Sequence, residues 1–252
     1  MKKLLLILLL FTSFNLFAQT LGNGVTDIDG NVYQTVIIGN QEWMKENLKT
    51  THYKNGDMIP NISVDTEWAS LDSGAYSLYN NDSANEIIYG NIYNGYAFKD
   101  SRGVCPCGWA VPTSSEWIDL VDTLGGQSLA GGSLRAVSSY WNSPNIGATN
   151  SSGFTALPSG WRQNTGTFWD LNEKAVLAMI HVTAIARVIN NSMNFIQYMS
   201  ANDQTGVSVR CIKSGGLNNS TTSTTTDSAC DSYDWNGVNY TSSGVYDSTF
   251  TN

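Results

Sequence analysis

The stretch Cys105-Pro-Cys-Gly-Trp-Ala-Val-Pro-Thr-Ser-Ser-Glu-Trp117 constrains this chain more than any other. It places two of the chain's four cysteines one residue apart, directly ahead of a helix start. Thr113-Ser-Ser-Glu116 is a capping box, in which a Thr and a Glu three residues later bond each other's backbone amides. Trp117, Leu120, Val121 and Leu124 follow at i, i+3, i+4 and i+7, one face of a helix, and Gly125-Gly126 ends it. Trp117 is therefore expected in the core, and Glu116 at the cap rather than in catalysis. Cys105 and Cys107 are too close for an unstrained mutual disulfide. A zinc site would need partners that His52 and His181, the only histidines, hardly supply. One of the two cysteines is expected to bridge to Cys211, tying the helix entry to the last core strand.

The N-terminus sets the redox compartment. Met1-Lys2-Lys3 is basic, Leu4–Phe11 is unbroken and apolar, and Leu16-Phe17-Ala18 precedes Gln19. This is the pattern of a secretory signal peptide over residues 1–18. The run is too short to span a bilayer, and no lipid-accepting cysteine follows it. Export makes disulfides the default state of the cysteines. With 13 Lys+Arg against 21 Asp+Glu the net charge is −8. Removing Lys2 and Lys3 leaves 11 against 21, net −10. That acidity argues against nucleic acid as a partner. Charged residues make up 13% of the chain, about half of the ~25% usual in globular domains. Gly, Asn, Ser and Thr fill the gap, a texture that suits an extracellular, turn-rich β protein.

Asp29-Gly30, between Val25–Ile28 and Val32–Ile38, predicts a hairpin in which both central residues take positive φ. Gly39-Asn40 predicts a second turn before a short strand at Glu42–Met44. Asp27-x-Asp29-Gly30-Asn31 has the early spacing of a calcium loop without its later bidentate Glu, and is read as a plain hairpin. Residues 50–100 read as loop-rich. Ser128–Val137 reads as a second short helix, its Gly131-Gly132 pair packed closely on a neighbour. Val207, Val209 and Cys211 alternate as in a half-buried strand. Residues 214–228 are a low-complexity linker. Residues 229–252 restart β alternation, hold Cys230, and are too few to bury a core. They are read as a truncated β repeat, so the chain is expected to be part of a longer protein. No HExxH, paired CxxC, Walker loop or GxSxG elbow appears.

Five segments, "DIDGNVYQTVIIGNQEWMKENL", "YGNIYNGYAF", "GVCPCGWAVPTSSEWIDL", "YWNSPNIGATNSSGFTALPSGWR" and "GVSVRCIK", resemble the Fibrobacter succinogenes major paralogous domain of secreted bacterial proteins. They occur in family order over residues 25–213, and the domain is taken as 19–213. The resemblance implies an α+β, C-type-lectin-like fold: two short helices, small antiparallel sheets and long loops. Pro112–Trp117 is similar to the helix start of the formylglycine-generating enzyme, which shares that fold. In that fold a cysteine near a helix bonds one on the final strand, which maps here to Cys105 and Cys211. Cys107 is then the domain's one spare thiol. The family's Trp-Ser-Ser-Thr-like segment is replaced here by "AVLAMIHVTAIARVI" at 175–189. The terminal residues resemble the start of repeats found in large Bacteroidetes surface proteins.

The expected function is a secreted or cell-surface, non-enzymatic module binding a glycan or another surface ligand, with no cofactor and no metal. The alternatives are a structural spacer in a large adhesin and an enzyme of the formylglycine-generating type. The resemblance places the binding surface between Tyr140 and Gln204. There Trp141, Asn142, Trp161, Arg162 and Trp169 are the candidate ligand residues, since rings stack on sugars and amides bond hydroxyls. The segment lacks the Glu-Pro-Asn and Trp-Asn-Asp triplets of calcium-dependent lectins, so binding is expected to be calcium-independent.

Overall fold

A computed structural model describes residues 19–182, 185–216, 233–235 and 238–241. The signal peptide lies outside the described residues, as do most of the linker and of the terminal repeat. Among the described residues the fold is mixed, with short helices set among small sheets.

One sheet has five strands, in the order Thr20–Leu21, Thr35–Ile38, Gln41–Met44, Ile212–Lys213 and Trp109–Ala110. The Gly39-Asn40 turn closes its central hairpin, in which Val36 faces Trp43 and Ile38 faces Gln41. The second sheet runs Gln197–Met199, Ala186–Asn190, Lys174–Ala178, Ser159–Arg162, Gly206–Ser208, Ile92–Asn94 and Tyr76–Ser77, with Phe168–Leu171 paired to Ser159–Arg162. Alternation along Lys174–Ala178 divides the interior. Val176 and Ala178 join a core with Tyr93, Val188, Val207 and the cysteines Cys105 and Cys211. Ala175 and Leu177 join a second core with Trp43, Trp117, Trp141, Phe154 and Ile189.

The long helix is Ser114–Thr123, with the capping box present in both directions. Its Trp117, Leu120 and Val121 are buried, and Gly125 and Gly126 follow with positive φ. The second helix is Ala130–Leu134. A side chain at Gly131 would fall on the backbone of Asn194, and one at Gly132 on the carbonyl of Gly147. The glycine pair therefore lets two loops close over the helix.

Three sequence readings are revised. The hairpin Val25–Thr26/Val32–Tyr33 forms, but with a three-residue loop closed by Asp27 N–H to Asn31 O and Gly30 N–H to Asp27 O. Only Gly30 there has positive φ, as in a turn followed by a bulge. Asp27 organises this loop: its carboxylate accepts from the Asp29 and Asn31 amides, the Asn31 side chain and the Tyr33 hydroxyl. Residues 50–100 contain helices at Asp65–Ala69, Ser83–Tyr89 and Gly95–Phe98, the last two capped by the Asp82 and Asn94 side chains. The segment after Thr205 is not half-buried. Residues 205–212 are all buried, because the chain leaves the large sheet at Ser208 and enters the small one at Ile212. Arg210, between the two, bonds Asn47 Oδ1 and the Phe154 carbonyl, and burial pushes its guanidinium down to about 9.

Cys105 and Cys211 form a disulfide with Cα atoms 6.0 Å apart. Cys107 is disulfide-bonded as well, so it is not the spare thiol that the sequence left over.

Candidate functional site

The ribbon Ser159–Arg162/Phe168–Leu171 decides where the candidate ligand residues point. Trp161 lies opposite Trp169, and Arg162 opposite Phe168. Directly opposed residues of an antiparallel pair share a face. One face therefore carries both tryptophans, and the other carries Arg162 with Phe168.

The Arg162 face is interior. The guanidinium lies 4.3 Å from the Trp68 ring centroid and 4.7 Å from that of Phe168. Arg162 donates to the Gly166, Ile62 and Ser63 carbonyls and to Asp65 Oδ1. Burial lowers its pKa, with the Asp65 carboxylate acting the other way. Trp141 is interior too: it is buried, and its indole donates to Ala156 O at 3.1 Å. Asn142 is exposed; its amide donates to Asn172 O at 2.7 Å and its carbonyl accepts from Asn191.

The tryptophan face is open. Trp169 is 50% exposed. Trp161 is half-buried against the first core, and its indole N–H donates to Asp170 Oδ2 at 2.7 Å. The same oxygen accepts from Lys174 Nζ at 3.0 Å. Asp170 takes φ +61°, as does Asn172 nearby at +65°, and these left-handed residues turn the chain from the ribbon into Lys174–Ala178. Asn172 Oδ1 accepts from the Tyr89 hydroxyl at 2.9 Å. The Tyr89 ring meets Tyr140 edge-on at 5.9 Å, and Tyr140 is exposed. Thus the fold brings Trp161 and Trp169 together and places Asn142 on the neighbouring loop, while Trp141 and Arg162 point inward. Sequence reasoning missed Asp170, Lys174 and Tyr140; the i,i+4 spacing of Asp170 and Lys174 was the only signal for the first two.

This surface offers an aromatic face, an ion pair and exposed amides. Those groups stack and hydrogen-bond. Elsewhere, His52 Nδ1 lies 2.5 Å from Asp29 Oδ1 and 3.0 Å from Thr51 Oγ1. A carboxylate–imidazole–hydroxyl relay needs its two partners on opposite ring nitrogens, and here both converge on one. Among the described residues no group of three His, Cys, Asp or Glu is placed to hold a metal ion. A cleft of about 200 Å³ lies beside the disulfide, between Ile28, Lys54 and Pro106. It is smaller than the ~300–1,000 Å³ of typical small-molecule sites.

Taken together, a disulfide-closed scaffold of small sheets, a capped helix and an aromatic loop surface define a small β-rich module with short helices. The chain matches the Fibrobacter succinogenes major domain over residues 36–213, and it belongs to that family. No curated protein and no solved structure matches it. No helix among the described residues is long and apolar enough to cross a membrane.

Proposed function

We propose that this protein is an exported, cell-surface, non-enzymatic module that binds glycan through the surface around Trp169, on a C-type-lectin-like scaffold. Surrounding sequence attaches it to a larger surface protein. One observation carries the reading. Of the seven tryptophans whose burial is described, Trp43, Trp68, Trp109, Trp117 and Trp141 are buried and Trp161 is half-buried. Trp169 alone presents half of its surface to solvent. A large ring left in water, beside a second tryptophan and an Asp170–Lys174 pair, is suited to stacking on a sugar face while donors and acceptors reach its hydroxyls. Binding through so small a patch is weak per site and gains strength from repeated copies.

Titration of neutral and acidic oligosaccharides onto the full chain, with and without EDTA, tests this. Binding that survives EDTA and falls about tenfold or more in Trp169→Ala, a loss of about 1.4 kcal/mol, supports the reading. No binding, or unchanged affinity in a folded Trp169→Ala, overturns it. Absence of binding to any glycan supports the structural-spacer alternative.

A further inference from the structure

We propose that the face built over Arg135 is a self-association surface, whose partner is a second copy of this chain. The starting point is an absence of charge. Between Asp122 and Asp170 the chain carries two charged residues, Arg135 and Arg162, and both are fully buried. Residues 188–202 carry none. At the chain's average of 13%, residues 123–169 alone would hold about six.

The fold brings these uncharged segments together. Gly131 N–H donates to Asn194 O at 2.9 Å, Ile196 N–H to Gln127 O at 3.3 Å, and Ile146 N–H to Asn191 O at 2.7 Å. Arg135 is the post beneath them. Its guanidinium donates to Asn145 Oδ1, to the Asn190, Met193 and Ile146 carbonyls, and to Asn194 Oδ1. The loops around residues 145–146 and 190–194 are thereby fixed by one buried cation. What they and the adjoining turn present outward is apolar: Leu129 is 58% exposed, Ile146 46% and Phe195 44%. A rigid patch with apolar side chains, an amide and hydroxyl surround and no charge has the anatomy of an interface core with its polar rim.

Charge selects the occupant. The chain carries −8, so two copies repel unless they meet where neither presents a carboxylate. This face meets that condition for both partners at once, as an isologous contact requires. It confers no comparable electrostatic advantage on a basic partner, which would be drawn to the acidic remainder.

Sedimentation equilibrium of the full chain over a concentration series up to about 0.1 mM tests the proposal, at two ionic strengths. Raising salt from about 0.01 to about 1 M shortens the screening length from about 30 to about 3 Å, and is expected to strengthen the association. Leu129→Glu and Phe195→Glu each place a carboxylate in the contact of both copies, and are expected to weaken it roughly tenfold or more. Leu129→Met is expected to retain it. Thermal melts confirm that each variant is folded. Phe195→Glu is the second arm should Leu129→Glu fail to fold. A monomer at every concentration, a dimer weakened by salt, or a dimer indifferent to both Glu variants overturns the proposal. Capture of an uncharged partner by a chain that stays monomeric also overturns it.

Discussion

Thr113 and Glu116 close each other's backbone amides at the start of the helix Ser114–Thr123. Thr113 Oγ1 accepts from the Glu116 amide at 3.3 Å, and Glu116 Oε2 accepts from the Thr113 amide at 2.7 Å. The cap matters beyond the helix, because Trp117 one residue later meets Trp43 of the small sheet at 5.1 Å between ring centroids. Thr113→Ala is expected to destabilise the protein by about 1 kcal/mol, read as a lowered melting temperature. An unchanged melting temperature would contradict the capping role.

The Cys105–Cys211 bond spans 106 residues and joins the approach to the helix to the end of the segment shared by both sheets. In the chain-entropy model a loop of that size contributes about 4–5 kcal/mol, though delivered values are often lower. Non-reducing peptide mapping is expected to recover the 105–211 linkage and no free thiol at Cys107. A Cys107–Cys211 peptide would refute the pairing. Paired Ser substitution at 105 and 211 is expected to lower the denaturation midpoint.

Arg162 is expected to behave as part of the core. Its planar fork serves the Gly166, Ile62 and Ser63 carbonyls and Asp65 between two aromatic rings, and an ammonium cannot reproduce that geometry. Arg162→Lys is expected to destabilise measurably. Arg162→Ala should cost roughly 3 kcal/mol, since buried carbonyls lose their donor. Chemical denaturation checks both. An Arg162→Ala protein of native stability would return this residue to the list of ligand candidates.

Local signals in the sequence placed local structure well. The capping box, the turn at Gly39-Asn40, the Gly131-Gly132 contact and the region of the long-range disulfide were all legible, because each depends on residues near one another or on export chemistry. What was hidden depends on distant partners. Arg162 and Trp169 occupy neighbouring strands of one ribbon, yet one is fully buried and the other half exposed. The difference arises from carbonyls at residues 62 and 63, some hundred positions away. Composition marked both as sugar-binding types, and only the pleat separates them. In the same way, the alternation of Val207, Val209 and Cys211 read as one half-buried strand. Alternation cannot report that the second face is covered by another sheet.

The last expectation concerns acid. Asp29, whose side chain is one-fifth exposed, joins the first hairpin to the segment Thr50–His52. Partial burial works against its charge. Hydrogen bonds from the Thr51 amide, the His52 ring and the Thr50 and Thr51 hydroxyls outweigh that, and hold its carboxyl below its ordinary value. A carboxyl depressed in the folded state stabilises the fold when ionised. Its contribution is therefore fully present above about pH 4, the unfolded-state value, and is lost as the pH falls through the lower folded-state value. Asp29→Asn keeps the shape and removes the titration. It is expected to destabilise the protein at pH 7 and to converge with the wild type at low pH. Denaturation midpoints measured from pH 7 down to about pH 2 check this. A gap between the two proteins that persists unchanged into strong acid would show that the Asp29 charge does not support the contact.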